Sequence, residues 1–215
     1  MAGEVRSVFT DRRHGDLMVR VDAPVLAARR AAIVDRPWSW LRQVHGADVL
    51  TVTAPGEHAG MEADGAVTAT PGAVLAVQTA DCAPVLFTGP GVIGVAHAGW
   101  RGLAAGVLEA TAQAMAALGA APERAVLGPC IRARCYEFGG ADLDVVAERY
   151  GSVVRSTTSW GTTALDVAAG IAEACRRLGI EFDDLGTCTA CSPNHWSHRA
   201  RGEAGRQALV AWIEP

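Results

Sequence analysis

The stretch Val95-Ala96-His97-Ala98-Gly99-Trp100-Arg101-Gly102-Leu103 decides the fold, because the hydrophobic period changes in its middle. Val92–His97 is a nearly continuous apolar run, the pattern of a strand buried on both faces. Beyond it Leu103, Val107, Ala110, Ala114 and Leu118 recur at helical spacing, and Gly119 stops the run. The spacing predicts a buried strand ending at His97, a glycine-rich turn, and a helix through Leu118. Such a junction aims free backbone N–H groups and the positive helix end at one point, where anions bind readily. Gly99 and Gly102 lie in that turn, and Arg101 offers a guanidinium suited to phosphate. His97 stands at its mouth.

Upstream, short β-type runs dominate: Val5–Phe9, Leu17–Val21, Asp48–Thr53, Ala73–Gln78 and Val85–Thr88. Pro55-Gly56, Pro71-Gly72 and Gly89-Pro90-Gly91 separate several of them as turns. Downstream, Val126–Gly128 reads as a strand, Ala141–Tyr150 and Leu165–Leu178 as helices, and Ala208–Ile213 as a closing strand. No linker, repeat or low-complexity tract interrupts the chain. Strands with interspersed and later helices imply an α+β or α/β domain with mixed sheets and helices outside. A length of 215 residues suits a single domain spanning 1–215.

Composition narrows the function classes. A net charge of −4 gives no basic face for phosphate neutralisation, which argues against a nucleic-acid partner. All 19 basic residues are Arg, so a Schiff-base lysine, a P-loop lysine and a Ser–Lys dyad are excluded. The start, MAGEVRSVFTDRRHGD, lacks the apolar stretch of a secretory signal, and no apolar run is long enough to span a bilayer. Six cysteines without such a signal read as thiols, and the expected compartment is the cytoplasm.

Two further segments carry chemistry. Thr79-Ala80-Asp81-Cys82-Ala83-Pro84 follows a buried run, and Asp and Cys suit a strand end or bulge better than a strand centre. A cysteine there is either a packed core thiol or, beside Asp81, a reactive one. In Leu41-Arg42-Gln43-Val44-His45-Gly46, Gly46 permits a sharp turn that presents His45 outward. One Cys and two His equal the number of protein ligands in a catalytic zinc site with one open position. Their spacing matches no short zinc-finger pattern.

Cys188-Thr189-Ala190-Cys191 reads as a turn with two packed thiols. A zinc ribbon needs two such pairs, and Cys130 with Cys135 lacks the two-residue spacing. Cys175 falls on the inner face of an amphipathic run, and His14 and His58 read as loop residues.

Together these motifs resemble the YfiH-type family, formerly described as multicopper polyphenol oxidase or laccase-domain proteins. The resemblance runs from about Phe9 to Ile213. It rests on Gln43-Val44-His45-Gly46, Ala63-Asp64-Gly65, Thr79–Pro84, His97–Gly102, Gly128-Pro129-Cys130-Ile131, Cys135-Tyr136-Glu137, Trp196–Arg199 and Gly205-Arg206-Gln207. It implies a single α/β/β/α sandwich with mixed sheets, and one metal ion held by His45, Cys82 and His97. That ion is usually zinc, with copper as an alternative. It further implies purine nucleoside phosphorylase activity, in which adenosine, inosine or methylthioadenosine reacts with phosphate to give free base and ribose 1-phosphate. Adenosine deaminase activity is attributed to the same site.

The family's Thr-Arg-x-Gly-Gly segment reads Asp11-Arg12-Arg13-His14-Gly15 here, which makes Arg12 the equivalent site arginine. His198 replaces a tyrosine before Arg199, and the region between Gly15 and Trp38 is shortened. On this reading Arg101, Gly99 and Gly102 bind phosphate, while Asp81 supports Cys82 or carries a proton. Two rivals use the same chain. One is a metal-free cysteine hydrolase with Cys82 as nucleophile and His97 as base, editing a peptidoglycan precursor. The other is a copper polyphenol oxidase, for which six histidines are few.

Overall fold

The computed structural model describes residues 3–215; Met1 and Ala2, which open the stretch read above as free of a leader, lie outside the described residues. In chain order the strands are β1 (Val5–Phe9), β2 (Trp38–Trp40), β3 (Val49–Thr51), β4 (Gly65–Thr68), β5 (Val74–Thr79), β6 (Ala83–Gly89), β7 (Val92–Ala98), β8 (Arg124–Leu127), β9 (Arg155–Thr157), β10 (Thr163–Leu165), β11 (Glu181–Asp184) and β12 (Gln207–Ile213). The α-helices are α1 (Ala23–Ala31), α2 (Trp100–Ala105), α3 (Val107–Ala117), α4 (Gly140–Tyr150), α5 (Val167–Leu178) and α6 (His198–Arg201).

Among the described residues the strands form a four-stranded sheet in the order β1-β12-β5-β2, a six-stranded sheet in the order β11-β8-β6-β7-β4-β3, and a small β9–β10 pair. Both large sheets mix parallel and antiparallel neighbours. They pack face to face, and the two-residue period of each strand sorts side chains between layers. From β5, Leu75 and Val77 enter the layer between the sheets, where they meet Leu86, Ile93 and Val95. Val74 and Ala76 face the other way, onto Leu26 of α1 and Trp212. Val85, Phe87 and Ala96 face the outer layer of α3, α4 and α5 around Met115, Val146 and Ile171. The architecture is therefore α/β/β/α, as expected. Burial on both faces explains why β5, β7 and β12 read as unbroken apolar runs.

Three local expectations are corrected. Leu17–Val21 is not a strand: the Asp16 side chain accepts from the Met18 N–H and a turn closes from Val21 N–H to the Met18 carbonyl. Local side-chain bonds of this kind compete with strand pairing, and Asp22 then caps α1, a helix the period analysis missed. The helix through Leu118 is two helices, broken at Gly106 with φ 92°. The helix expected from Leu165 starts at Val167, because Asp166 caps it and Leu165 belongs to β10. Among the described residues no helix is long and apolar enough to cross a membrane.

Candidate active site and metal centre

The β6–β7 hairpin places the first two site residues together. Its register pairs Pro84 with His97 and Ala83 with Ala98, so Cys82, just before β6, stands beside the end of β7. The hairpin turn is Gly89-Pro90-Gly91, with Gly91 at φ 72°. Cys82 and His97 are thus neighbours through strand pairing, although fifteen positions apart in sequence.

His45 arrives on a different device. Asp64, fully buried just before β4, accepts from the backbone N–H groups of Val44 (3.1 Å), His45 (3.0 Å) and Gly46 (2.7 Å). The same carboxylate contacts His97 Nδ1 at 2.7 Å, and the His97 N–H donates to the Asp64 carbonyl. One side chain therefore folds the 44–46 loop and orients the His97 ring, leaving its Nε2 as the ligand atom. The sharp turn falls on His45 itself, with φ 62°, and not on Gly46 as expected. Asp81 is also left-handed, at φ 97°. Each such residue costs of order 1–3 kcal/mol and persists only where its surroundings over-determine it.

The nitrogen and sulfur donors of His45, Cys82 and His97 all lie within 4.8 Å of one another. Cys82 Sγ is 3.9 Å from His45 Nε2, and the two imidazoles meet edge to face at 4.9 Å. Burial alone would raise the Cys82 thiol and lower His97. The opposite charges and the hydrogen bonds to His45 and Asp64 outweigh it, bringing Cys82 down to about 6 and His97 up to about 9. The pairing favours the thiolate that a metal would need, while His97 would give up its proton on binding the ion. Two imidazole nitrogens, one thiolate and a carboxylate behind one imidazole fit a tetrahedral ion with one position left open.

Gly99 lets these donors converge. A Cβ there would stand 2.7 Å from His45 Cδ2 and 3.1 Å from Cys82 Sγ. Its φ of −69° is open to any residue, so Gly99→Ala tests crowding without backbone strain. We expect that variant to keep its unfolding free energy within about 1 kcal/mol. Zinc affinity should fall about 10- to 100-fold by chelator competition, the range for changes next to metal ligands.

The other sequence-derived residues divide into two groups. Arg101 is exposed at the cleft mouth, stacks over Trp100 at 4.3 Å, and has no ion pair among the described residues. Gly102 is buried and faces the Gly46 carbonyl, where a Cβ would approach to 2.9 Å. Asp81 lines the cleft, but its carboxylate accepts from Thr189 Oγ1 (2.6 Å) and the Arg199 N–H (2.7 Å). Arg12 pairs with Glu203, donates to the His195 carbonyl and stacks on Trp196, outside the residues lining either cleft.

Two clefts meet at His45, Cys82 and His198. One, about 260 Å³, is lined by Trp100, Arg101, Tyr136 and Arg199. The other, about 630 Å³, carries Arg20, Trp40, Gln43, Gln78 and Arg206. Sequence reasoning had assigned no role to Asp64, Tyr136 or Arg199. A buried acidic residue in the run Ala63-Asp64-Gly65-Ala66-Val67 was the available signal for the first of them.

A family model described as multi-copper polyphenol oxidoreductase laccase matches residues 3–214. The chain is 42% identical over 195 residues to a Streptomyces coelicolor protein named purine nucleoside phosphorylase, spanning 88% of this chain and 80% of that one. A Mycobacterium tuberculosis protein of the same name is 41% identical over 196 residues, spanning 87% and 78%. Among solved structures, a Neisseria meningitidis protein superposes with a TM-score of 0.87 at 29% identity over 98% of this chain and 95% of that chain. The Bacillus licheniformis hypothetical protein YfiH gives 0.87 at 25% identity, over 98% and 93%.

Proposed function

Because this chain belongs to the multi-copper polyphenol oxidoreductase laccase family, we propose that it is a metal-dependent purine nucleoside phosphorylase. The observation that carries this reading is the convergence of His45, Cys82 and His97 at the junction of two arginine-bearing clefts. Its substrates on this reading are a purine nucleoside and inorganic phosphate, with adenosine deamination as a secondary activity. The donor set favours zinc; copper would accept the same ligands. A metal ion held by these three residues would supply positive charge and a Lewis-acidic position for an oxygen ligand.

Phosphorolysis breaks the bond from ribose C1′ to purine N9 as a phosphate oxygen bonds to C1′. The electron pair of the broken bond leaves with the purine, which must be stabilised. Arg101, exposed and without an ion pair among the described residues, is the guanidinium assigned to phosphate, beside the Gly99–Gly102 turn. Gly102 supports that turn by allowing its close approach to the 44–46 loop. Asp81 acts as a positioning residue, holding Thr189 and the Arg199 backbone around Cys82. Arg12 anchors the 195–203 segment that brings His198 and Arg199 to the cleft. Burial and the nearby Cys82 charge push the Tyr136 hydroxyl up to about 12. It therefore stays protonated and available as a donor to the departing base. Tyr136→Phe should lower kcat about 10-fold, one hydrogen bond's worth, with little change in metal content.

The direct test incubates the protein with adenosine, inosine, guanosine and methylthioadenosine, with and without phosphate, and identifies the products. Base release that requires phosphate, with ribose 1-phosphate formed, supports the proposal. Equal base release without phosphate overturns it in favour of hydrolysis. One observation favours a second reading: Cys82, His97 and Asp64 are linked in series, as in a cysteine nucleophile with its base and orienting carboxylate. That reading, a cysteine hydrolase acting on a peptidoglycan precursor, predicts covalent trapping of Cys82 and turnover in fully chelated protein.

A further inference from the structure

The Cys188–Cys191 turn, read from sequence as two packed thiols, has a third sulfur beside it. Cys135 comes from the one-turn 3-10 helix Ala133–Cys135, and its Sγ lies 3.2 Å from Cys191 Sγ. All three sulfurs of Cys135, Cys188 and Cys191 are within 4.8 Å of one another. Cys191 is exposed, Cys135 half-buried and Cys188 buried, so the group opens to solvent on one side. Cys130 pairs with Cys188 through the backbone and is not among the three sulfurs that converge.

We propose that Cys135, Cys188 and Cys191 form a second metal site, a thiolate cage for one thiophilic ion such as Zn2+, separate from the His45–Cys82–His97 group. Sulfur donors select zinc or Cu+ over harder ions, and three thiolates leave a fourth, solvent-facing position for water on zinc. The Cys-x-x-Cys turn is the common sequence device for presenting two sulfurs to one ion. Arg134 lies against Cys191 and offsets the negative charge that three thiolates would gather. Zn–S bonds of about 2.3 Å put tetrahedral sulfurs roughly 3.8 Å apart. The Cys135–Cys191 separation of 3.2 Å must therefore open by roughly 0.6 Å, which the exposed Cys191 side chain can accommodate.

The placement gives the ion a purpose. Cys135 precedes Tyr136, and Thr189, inside the Cys188–Cys191 turn, donates to Asp81 beside Cys82. Arg201 ties the same turn to α6 through the carbonyls of Thr189 and Ala190. An ion held by the three sulfurs would pin the wall of the active cleft from behind, as a structural cross-link between segments with no other covalent tie.

The test counts ions per chain in protein purified and kept under reductant, then dialysed against Zn2+. Wild type should hold two, and Cys135→Ser/Cys191→Ser should hold one. His45→Ala/His97→Ala should also retain one, with three sulfurs, one oxygen and no imidazole signal in its shell by X-ray absorption spectroscopy. Cobalt substitution of that histidine variant should show thiolate-to-metal charge transfer, lost when Cys191→Ser is added. No ion in the His45→Ala/His97→Ala variant, or an unchanged count in the cysteine variant, would overturn the proposal. So would a Cys135–Cys191 disulfide that forms under reductant and excludes the ion. These counts are independent of nucleoside turnover, so failure of either proposal is distinguishable from failure of the other.

Discussion

Cys82→Ala is expected to abolish metal retention at the His45–His97 site and to lower phosphorolysis by at least about 10³-fold. The magnitude follows from losing several kcal/mol of charge stabilisation at the reacting centre, where each 1.36 kcal/mol is tenfold in rate. The fold should survive, because Cys82 is only partly buried and lies just before β6, a strand paired on both sides. Cys82→Ser keeps the volume but offers a much poorer ligand, and should behave like the alanine variant. The informative control is chelated wild type, in which the thiol is intact and the ion gone. Loss of turnover there, with recovery on adding zinc, separates metal-centred phosphorolysis from thiol nucleophilic chemistry. Wild-type rates in Cys82→Ala would remove both readings of this site.

Asp64→Ala should be the most destabilising change in the site. The variant removes the fully buried acceptor of the buried His97 ring and of the N–H groups of Val44, His45 and Gly46 on the half-exposed loop above it. Removing one partner from such an arrangement typically costs about 3–5 kcal/mol, because the remaining groups stay desolvated. Denaturant unfolding measures this directly. The loss should be accompanied by weaker zinc binding, since neither His45 nor His97 keeps its orientation. Asp64→Asn is the milder companion: it preserves volume but must present an amide N–H to donors on one side. An unfolding free energy within 1 kcal/mol of wild type for Asp64→Ala would show that the carboxylate does not hold the loop.

The site was legible in part, and the boundary has a physical cause. His97 was readable because a buried strand running into a glycine turn leaves a clear change of hydrophobic period. Cys82 was visible as a polar interruption of an apolar run. The role of Gly46 was misread, since His45 takes the left-handed conformation; the three N–H bonds to Asp64 stabilise it there, and those bonds join residues 18–20 positions apart. Arg12 carried an expectation from motif position alone. Its pairing with Glu203, 191 positions away, is invisible to any local pattern. Leu17–Val21 has strand-like composition, yet Asp16 closes a turn over it.

What the amino-acid order determined by itself was the burial of β5 and β7 on both faces, since nearly continuous apolar runs suit only a strand covered on each side. It also determined which residue types were available for chemistry, with no lysine and few histidines. What tertiary structure alone decided was which of them meet. Two imidazoles and one thiolate converge through a hairpin register and a buried carboxylate, and three cysteines from two distant turns gather behind the cleft. Periodicity records burial because each residue's exposure is a local property, whereas a ligand set depends on long-range pairing that leaves no period in the chain.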